Sequence, residues 1–342
     1  MHDPATIDSR QHETHHKPQG ECWAITDRAA GNQRQALALA ECLGLPVRHL
    51  VLPLRAPWSW LSPRLLPGGR LALPASQRDI FAPPWPTVAI GCGRSAALLT
   101  RMLRSLTDGH CHTVQILDPR VDPMHWDTVI APKHDGLTGI NVLNPLGSLN
   151  PVDDNWLADG REATPALGDL PSPRVGVLIG GPRTGIRIDA EYAHRLAKHL
   201  LARQRREGGS LLALTSRRTP NAVTNVMRKA MGGIPGLVWH GPDDGPNPYP
   251  GVLGWADRLV VTPDSVNMLS EACAVGCAVH TFAPDALPPK LARFHESLRA
   301  AGLLHDVDDD APVRQTPLRE TQAIADALRE RMFHGTALHL EL

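Results

Sequence analysis

The sequence predicts an α/β protein of two Rossmann-like halves facing each other across a cleft. Short apolar runs alternate with amphipathic stretches in a strand–helix rhythm that begins at Cys22 and restarts at Val175. A Pro-, Asp- and Gly-rich stretch without clear periodicity, residues 151–173, lies between the two series. At 342 residues the chain has room for two domains of roughly 150 residues each. The expected division is a disordered tail over 1–20, an N-terminal half over 21–150, a linker over 151–173 and a C-terminal half over 174–342, whose last helix can cross back to the first half.

In the first half the pattern gives a strand over 22–26, a loop over 27–32 and a helix from Gln33 to about Leu43, stopped by Gly44. Strands over 47–52 and 87–90, the Gly91-Cys92-Gly93 turn, a helix over 95–106, and strands over 113–117 and 128–131 follow. An irregular insertion over 53–86 carries Trp58, Trp60, Leu61, Leu65, Leu66 and Trp85 among prolines and arginines. The second half reads as a strand over 175–179, a glycine loop over 180–185, and a helix capped by Asp189 with Tyr192, Leu196 and Leu200 on one face. Strands over 211–215, 237–239, 259–262 and 278–282 then alternate with helices over 221–231, 252–256 and 266–275.

Composition excludes several classes. Apolar residues make up 42% of the chain, but no uninterrupted run approaches the roughly 20 residues that cross a bilayer. Residues 1–20 lack a signal pattern and form a polar tail with His2, His12, His15 and His16. Basic and acidic residues balance at 35 each, which gives no bulk field for nucleic acid. Cys22, Cys42, Cys92, Cys111, Cys273 and Cys277 are scattered and mostly sit in apolar runs, as reduced core thiols of a cytoplasmic protein do. No metal site is expected.

In open α/β sheets ligands bind beyond the carboxyl ends of the strands. Four such loops in the second half hold the candidate binding residues: Gly180, Gly181, Arg183 and Thr184; Ser216, Arg217 and Arg218; Asn247 and Tyr249; Thr262, Asp264 and Ser265. Glycines let backbone amides approach an anion and arginines can clamp a diphosphate, although a tight turn and a surface basic pair read the same way. The segment from Thr262 to Ala272 is the most informative, because Ser265 or Asp264 caps a helix whose free N–H groups and positive dipole end suit a pyrophosphate. Met268 and Ser270 lie on that helix, and Glu271, six residues past the cap, could reach a ribose hydroxyl; an N-capped helix with an exposed Glu is the plainer reading. In the first half Asp27, Gly31, Asn32 and Gln35 follow the first strand, and His134 with Asp135 follows the strand over 128–131. Asp27 or the His134–Asp135 pair could act as general base.

Taken together, the motifs DRAAGNQRQ from Asp27, QILDPR from Gln115, PKHD from Pro132, LIGG from Leu178, SRRTP from Ser216, NPY from Asn247 and DRLVVTPDSVNMLSEA from Asp257 resemble the mitochondrial-fission "elongated mitochondria" family of plants and bacteria. That family is similar to the GT-B glycosyltransferase superfamily. The resemblance implies a nucleotide-sugar on the C-terminal half, gripped by the segment from Ser265 to Glu271, and an acceptor on the N-terminal half. Asn32 and Gln33 stand where peptidoglycan-type members would have a Gly-His pair, so the usual catalytic His is not carried over. The expected function is a metal-independent, nucleotide-sugar-dependent glycosyltransferase acting on an envelope lipid or polysaccharide precursor. The Trp58, Trp60, Leu65 and Leu66 stretch would then dip into the inner-membrane surface, hold a lipid-linked acceptor, or pack on its own domain. Alternatives are a non-catalytic adaptor that recruits a protein partner, as the plant members imply, and a sugar-nucleotide epimerase.

Overall fold

The computed structural model describes residues 20–64 and 68–339. The histidines of the N-terminal tail, Leu65 and Leu66 lie outside the described residues.

In the first half, β1 (Cys22–Thr26) is buried on both faces. Cys22 and Ala24 join one apolar cluster, whereas Trp23 and Ile25 join another, which is why the strand reads as a continuous apolar run without alternation. The chain continues through α1 (Ala30–Cys42), β2 (Val47–Val51), the single turn α2 (Trp58–Leu61), β3 (Val88–Cys92), α3 (Arg94–Leu106), β4 (His112–Ile116), β5 (Thr128–Ile130) and β6 (Val142–Leu143). The strands pair in parallel in the order β2-β1-β3-β4-β5-β6. From the insertion, Ala72, Leu73 and Phe81 are buried against Trp23 and the α3 leucines, while Trp60 stays 74% exposed.

Over residues 151–173, expected as a linker without clear periodicity, the chain forms α4 (Asp154–Ala163) and α5 (Pro165–Gly168). Asp153 Oδ1 accepts from the Trp156 N–H at 2.7 Å and starts α4, and Leu157 and Gly160 are buried one turn apart. A Cβ on Gly160 would lie 2.5 Å from the Pro250 carbonyl, so this glycine lets two elements pack closely rather than loosening the chain. Then come β7 (Arg174–Ile179), α6 (Ala190–Glu207), β8 (Ser210–Thr215), α7 (Asn221–Met231), β9 (Gly236–Trp239), α8 (Tyr249–Trp255), β10 (Arg258–Val261), α9 (Val266–Cys273), β11 (Ala278–Thr281), α10 (Pro289–Ala300), β12 (His305–Asp306) and α11 (Thr321–His339). The second sheet is also parallel, in the order β12-β11-β10-β7-β8-β9. Ala325 and Leu328 of α11 are buried in the first half, beside Ala36 and Leu39.

Burial pushes the thiols of Cys22, Cys111 and Cys277 up to about 12, so they act as packing residues, not nucleophiles. Among the described residues no helix is long and apolar enough to cross a membrane.

Candidate functional site

Each sheet reverses its strand order once, between β1 and β3 and between β7 and β10, and a crevice opens at the carboxyl ends there. Pairing of Leu178 with Val261 brings the Gly180-Gly181 turn beside the loop from Thr262 to Ser265. Thr262 Oγ1 accepts from the Gly180 N–H at 2.8 Å and donates to Asp264 Oδ1 at 2.7 Å. Asp264 is fully buried, and its Oδ2 accepts from the Gly181 N–H at 3.2 Å and from Arg218 Nη2 at 2.8 Å. Arg183 Nη1 donates to the Asp264 carbonyl at 2.9 Å. The expectation that the two glycine amides meet an anionic ligand is therefore corrected, since both are already bonded within the protein. A Cβ on Gly180 would fall 2.1 Å from Asp264 Oδ1, so glycine here makes room for that carboxylate. Thr184 and Arg217 are exposed, and Ser216 Oγ closes its own turn by accepting from the Arg218 N–H at 3.2 Å.

The wired loop delivers the start of α9. Ser265 Oγ accepts from the Met268 N–H at 3.3 Å, and the Leu269 N–H bonds the Ser265 carbonyl at 3.1 Å. The N–H groups of Val266 and Asn267 have no partner among the described residues, as the first turn of a helix requires, and both residues are half-buried. Met268 is half-buried and packs on the core of its own half. Ser270 is not a ligand-facing residue: fully buried, its Oγ accepts from the Ser148 N–H at 2.9 Å and donates to the Val266 carbonyl at 2.8 Å.

The first half faces this start with one of its own. α1 begins at Ala30, three residues earlier than the pattern suggested, because Asp27 Oδ1 accepts from the Ala29 N–H at 2.8 Å and turns the chain. Both Asp27 oxygens also accept from Asn32 Nδ2 at 3.0 Å. Gln35 Nε2 donates to Asn267 Oδ1 at 3.4 Å, and a Cβ on Gly31 would lie 2.1 Å from Asn267 Nδ2. Glycine at 31 thus lets the first turns of α1 and α9 meet, positive end beside positive end.

Sequence reasoning missed Arg34, whose partner lies 237 residues away. Arg34 Nη1 donates to Glu271 Oε1 at 2.6 Å and its guanidinium stands 5.5 Å over the Tyr249 ring. The Tyr249 hydroxyl donates to Glu271 Oε2. Glu271 is 1% exposed, so the carboxylate expected to reach a ribose is closed off by these two partners. Burial, reinforced by Glu271, holds the Tyr249 phenol well above its usual pKa. Burial alone would lower the pKa of Arg34, but the Glu271 carboxylate outweighs it and the net shift is upward. Asn247 Oδ1 accepts from the Tyr249 N–H at 3.1 Å and so positions the tyrosine.

His134 and Asp135 form a short helical turn after β5, and α10 covers them. The His134 ring lies 4.9 Å from that of Phe294, its carbonyl accepts from Arg293 Nη2 at 3.1 Å, and Asp135 pairs with Lys290. Burial pushes His134 down to about 4; Lys290 and Arg293 act in the same direction, against Asp135. The general-base expectation is corrected to a seam between the halves, because the imidazole is neutral and sealed from an acceptor. Among the described residues no cluster of three or more His, Cys, Asp or Glu side chains is arranged to hold a metal ion. A recess of about 730 Å³ lies at the opposite, amino end of the first sheet, lined by residues including Thr87, Arg104 and His112.

Residues 30–332 match the family described as mitochondrial fission ELM1. This chain belongs to the mitochondrial fission ELM1 family. The mitochondrial fission protein ELM1 of Arabidopsis thaliana is 31% identical to it over 287 residues, which cover 75% of this chain and 66% of the plant protein. This ELM1-family chain therefore spans just under two thirds of the plant relative's length. An uncharacterized protein of Rickettsia prowazekii is 25% identical over 301 residues, 77% of this chain and 83% of that one. In fold, the UDP-GlcNAc 2-epimerase of Methanocaldococcus jannaschii matches with a TM-score of 0.55 at 11% identity, covering 92% of this chain and 99% of that one. The ELM1-family chain thus has the GT-B-like architecture of two facing Rossmann-like halves.

Proposed function

We propose that this ELM1-family protein binds a nucleotide-sugar, with the diphosphate on the start of α9, and transfers the sugar without a metal to an envelope lipid or polysaccharide precursor. One observation carries the reading: the unpartnered N–H groups of Val266 and Asn267 sit at the positive end of a helix that meets the start of α1 across the crevice. A departing diphosphate is stabilised by such fixed dipoles and by guanidinium groups, here that of the exposed Arg217, while Arg183 and Arg218 are held on Asp264. Asp27, at the crevice of the first half, is the proposed proton acceptor. The exposed Trp60, Leu61 and Leu71 beside Arg55, Arg64 and Arg70 fit a protein that rests on the cytoplasmic face of the inner membrane, where a lipid-linked acceptor is within reach.

A non-catalytic adaptor that recruits a protein partner is the second reading, favoured by the closure of Glu271 and by the plant relative's name. The fold match to an epimerase motivates a third. A thermal-shift panel of uridine, guanosine, cytidine and thymidine diphosphate sugars tests the first. Ligand at about 100 times its Kd adds about 2.7 kcal/mol to stability and raises the melting temperature. No rise with any of them leaves the adaptor reading, and conversion of a donor without acceptor points to the epimerase.

A further inference from the structure

A ribose diol needs a carboxylate with free oxygens, and neither oxygen of Glu271 is free. Arg34 holds Oε1 and Tyr249 holds Oε2. The side chain of Glu271 is 2% exposed and that of Arg34 43% exposed, so the cover over the carboxylate is a guanidinium from the other half that water already reaches. Gly31 and Asn267 touch about one helical turn before Arg34 and Glu271, respectively. An anion on the Val266 and Asn267 N–H groups would therefore lie about one helical pitch, ~5 Å, from the present place of the guanidinium, within the swing of an arginine side chain.

Three kinds of ligand meet this arrangement differently. A nucleoside can take Glu271 only by stripping Arg34 of its anion. Inorganic diphosphate can use the helix start but leaves Glu271 covered. A nucleoside diphosphate does both: a ribose hydroxyl replaces the guanidinium on Glu271 Oε1, with Tyr249 kept on Oε2, and its phosphates receive the guanidinium it displaced.

We propose that Arg34 is a specificity-determining residue of the α9 site, making it favour ligands that carry a ribose diol and a diphosphate together over nucleosides and over inorganic diphosphate alone. This inference rests on the donor-site reading above. Isothermal titration of the full chain and of Arg34→Gln with UDP, uridine and inorganic diphosphate tests it, with GDP, CDP and ADP and their nucleosides as further probes. The preference for UDP over uridine falls by about tenfold or more in Arg34→Gln, since one charge-assisted contact is lost by UDP and one competitor is lost for uridine. Arg34→Lys, which keeps the charge, retains most of the preference. An equal preference in wild type and Arg34→Gln overturns the proposal while leaving nucleotide binding at α9 intact. A double-mutant cycle between Arg34→Gln and Glu271→Gln, read by thermal unfolding without ligand, separates the two levels. Absence of coupling overturns the Arg34 proposal by itself, whereas clear coupling with no nucleotide bound by wild type overturns the donor-site reading and the selectivity with it.

Discussion

Where Arg34 meets Glu271 the halves touch through a half-exposed guanidinium and one carboxylate; where α10 meets the turn after β5 they touch through the fully buried Phe294 ring and the buried His134 imidazole. The first contact can be exchanged, because its guanidinium has water or a ligand anion to turn to and its carboxylate gains solvent when released. The second cannot, because opening it exposes an aromatic ring and leaves Asp135 without the shelter that pairs it with Lys290. One crossing is the proposed gate over the α9 site and the other a fixed seam.

The comparison breaks first at Phe294. Phe294→Ala is expected to cost about 3–5 kcal/mol in chemical denaturation, as truncation of a packed aromatic ring does. A cost near that of a surface change would mean that the seam is loose. Asp264→Ala comes next: it removes a fully buried carboxylate that organises Thr262, Gly181 and Arg218, and is expected to cost about 3 kcal/mol and to abolish any nucleotide-induced thermal shift. Retention of the shift would detach the wired loop from the site.

Acid sharpens the contrast. Burial holds His134, His280 and His295 at about 4, below the unfolded value of 6.5, so the unfolded chain takes up protons first as the pH falls. Their contribution is whole above pH 6.5 and is lost on the way down to 4, by about 1.4 kcal/mol per pH unit for each histidine once below the upper value. Melting temperatures should drop steeply between about pH 6.5 and pH 5 and less steeply in His134→Phe; a flat profile would contradict the sealed seam. The smallest effect is expected at the gate. Arg34 is half-exposed while Glu271 is buried, so Arg34→Gln should cost about 1 kcal/mol in the ligand-free chain, between an exposed pair and a fully buried one. A loss of about 3 kcal/mol or more would make it a second seam.

Much of the fold could be read ahead of the structure because β1, β7 and β8 are apolar runs closed by Asp, Gly or Ser, and because Ser265 marks the start of α9 in plain sequence. α4 was hidden: its Gly160 reads as a breaker until the Pro250 backbone against it is seen. β6 and β12 are two residues each, too short to show periodicity. At the site, a helix cap is a local property and was legible, whereas the burial of Asp264 and the pairing of Arg34 with Glu271 depend on contacts between distant segments. Gly180 and Gly181 misled for the same reason, since glycine that admits a carboxylate and glycine that admits a ligand are identical in sequence.

A crystal structure of the full chain soaked with UDP addresses the α9 start most directly. The account predicts diphosphate oxygens within about 3 Å of the Val266 and Asn267 nitrogens, with Arg34 turned from Glu271 toward them. A bound UDP whose phosphates lie elsewhere, with those two N–H groups still unpartnered, would contradict it.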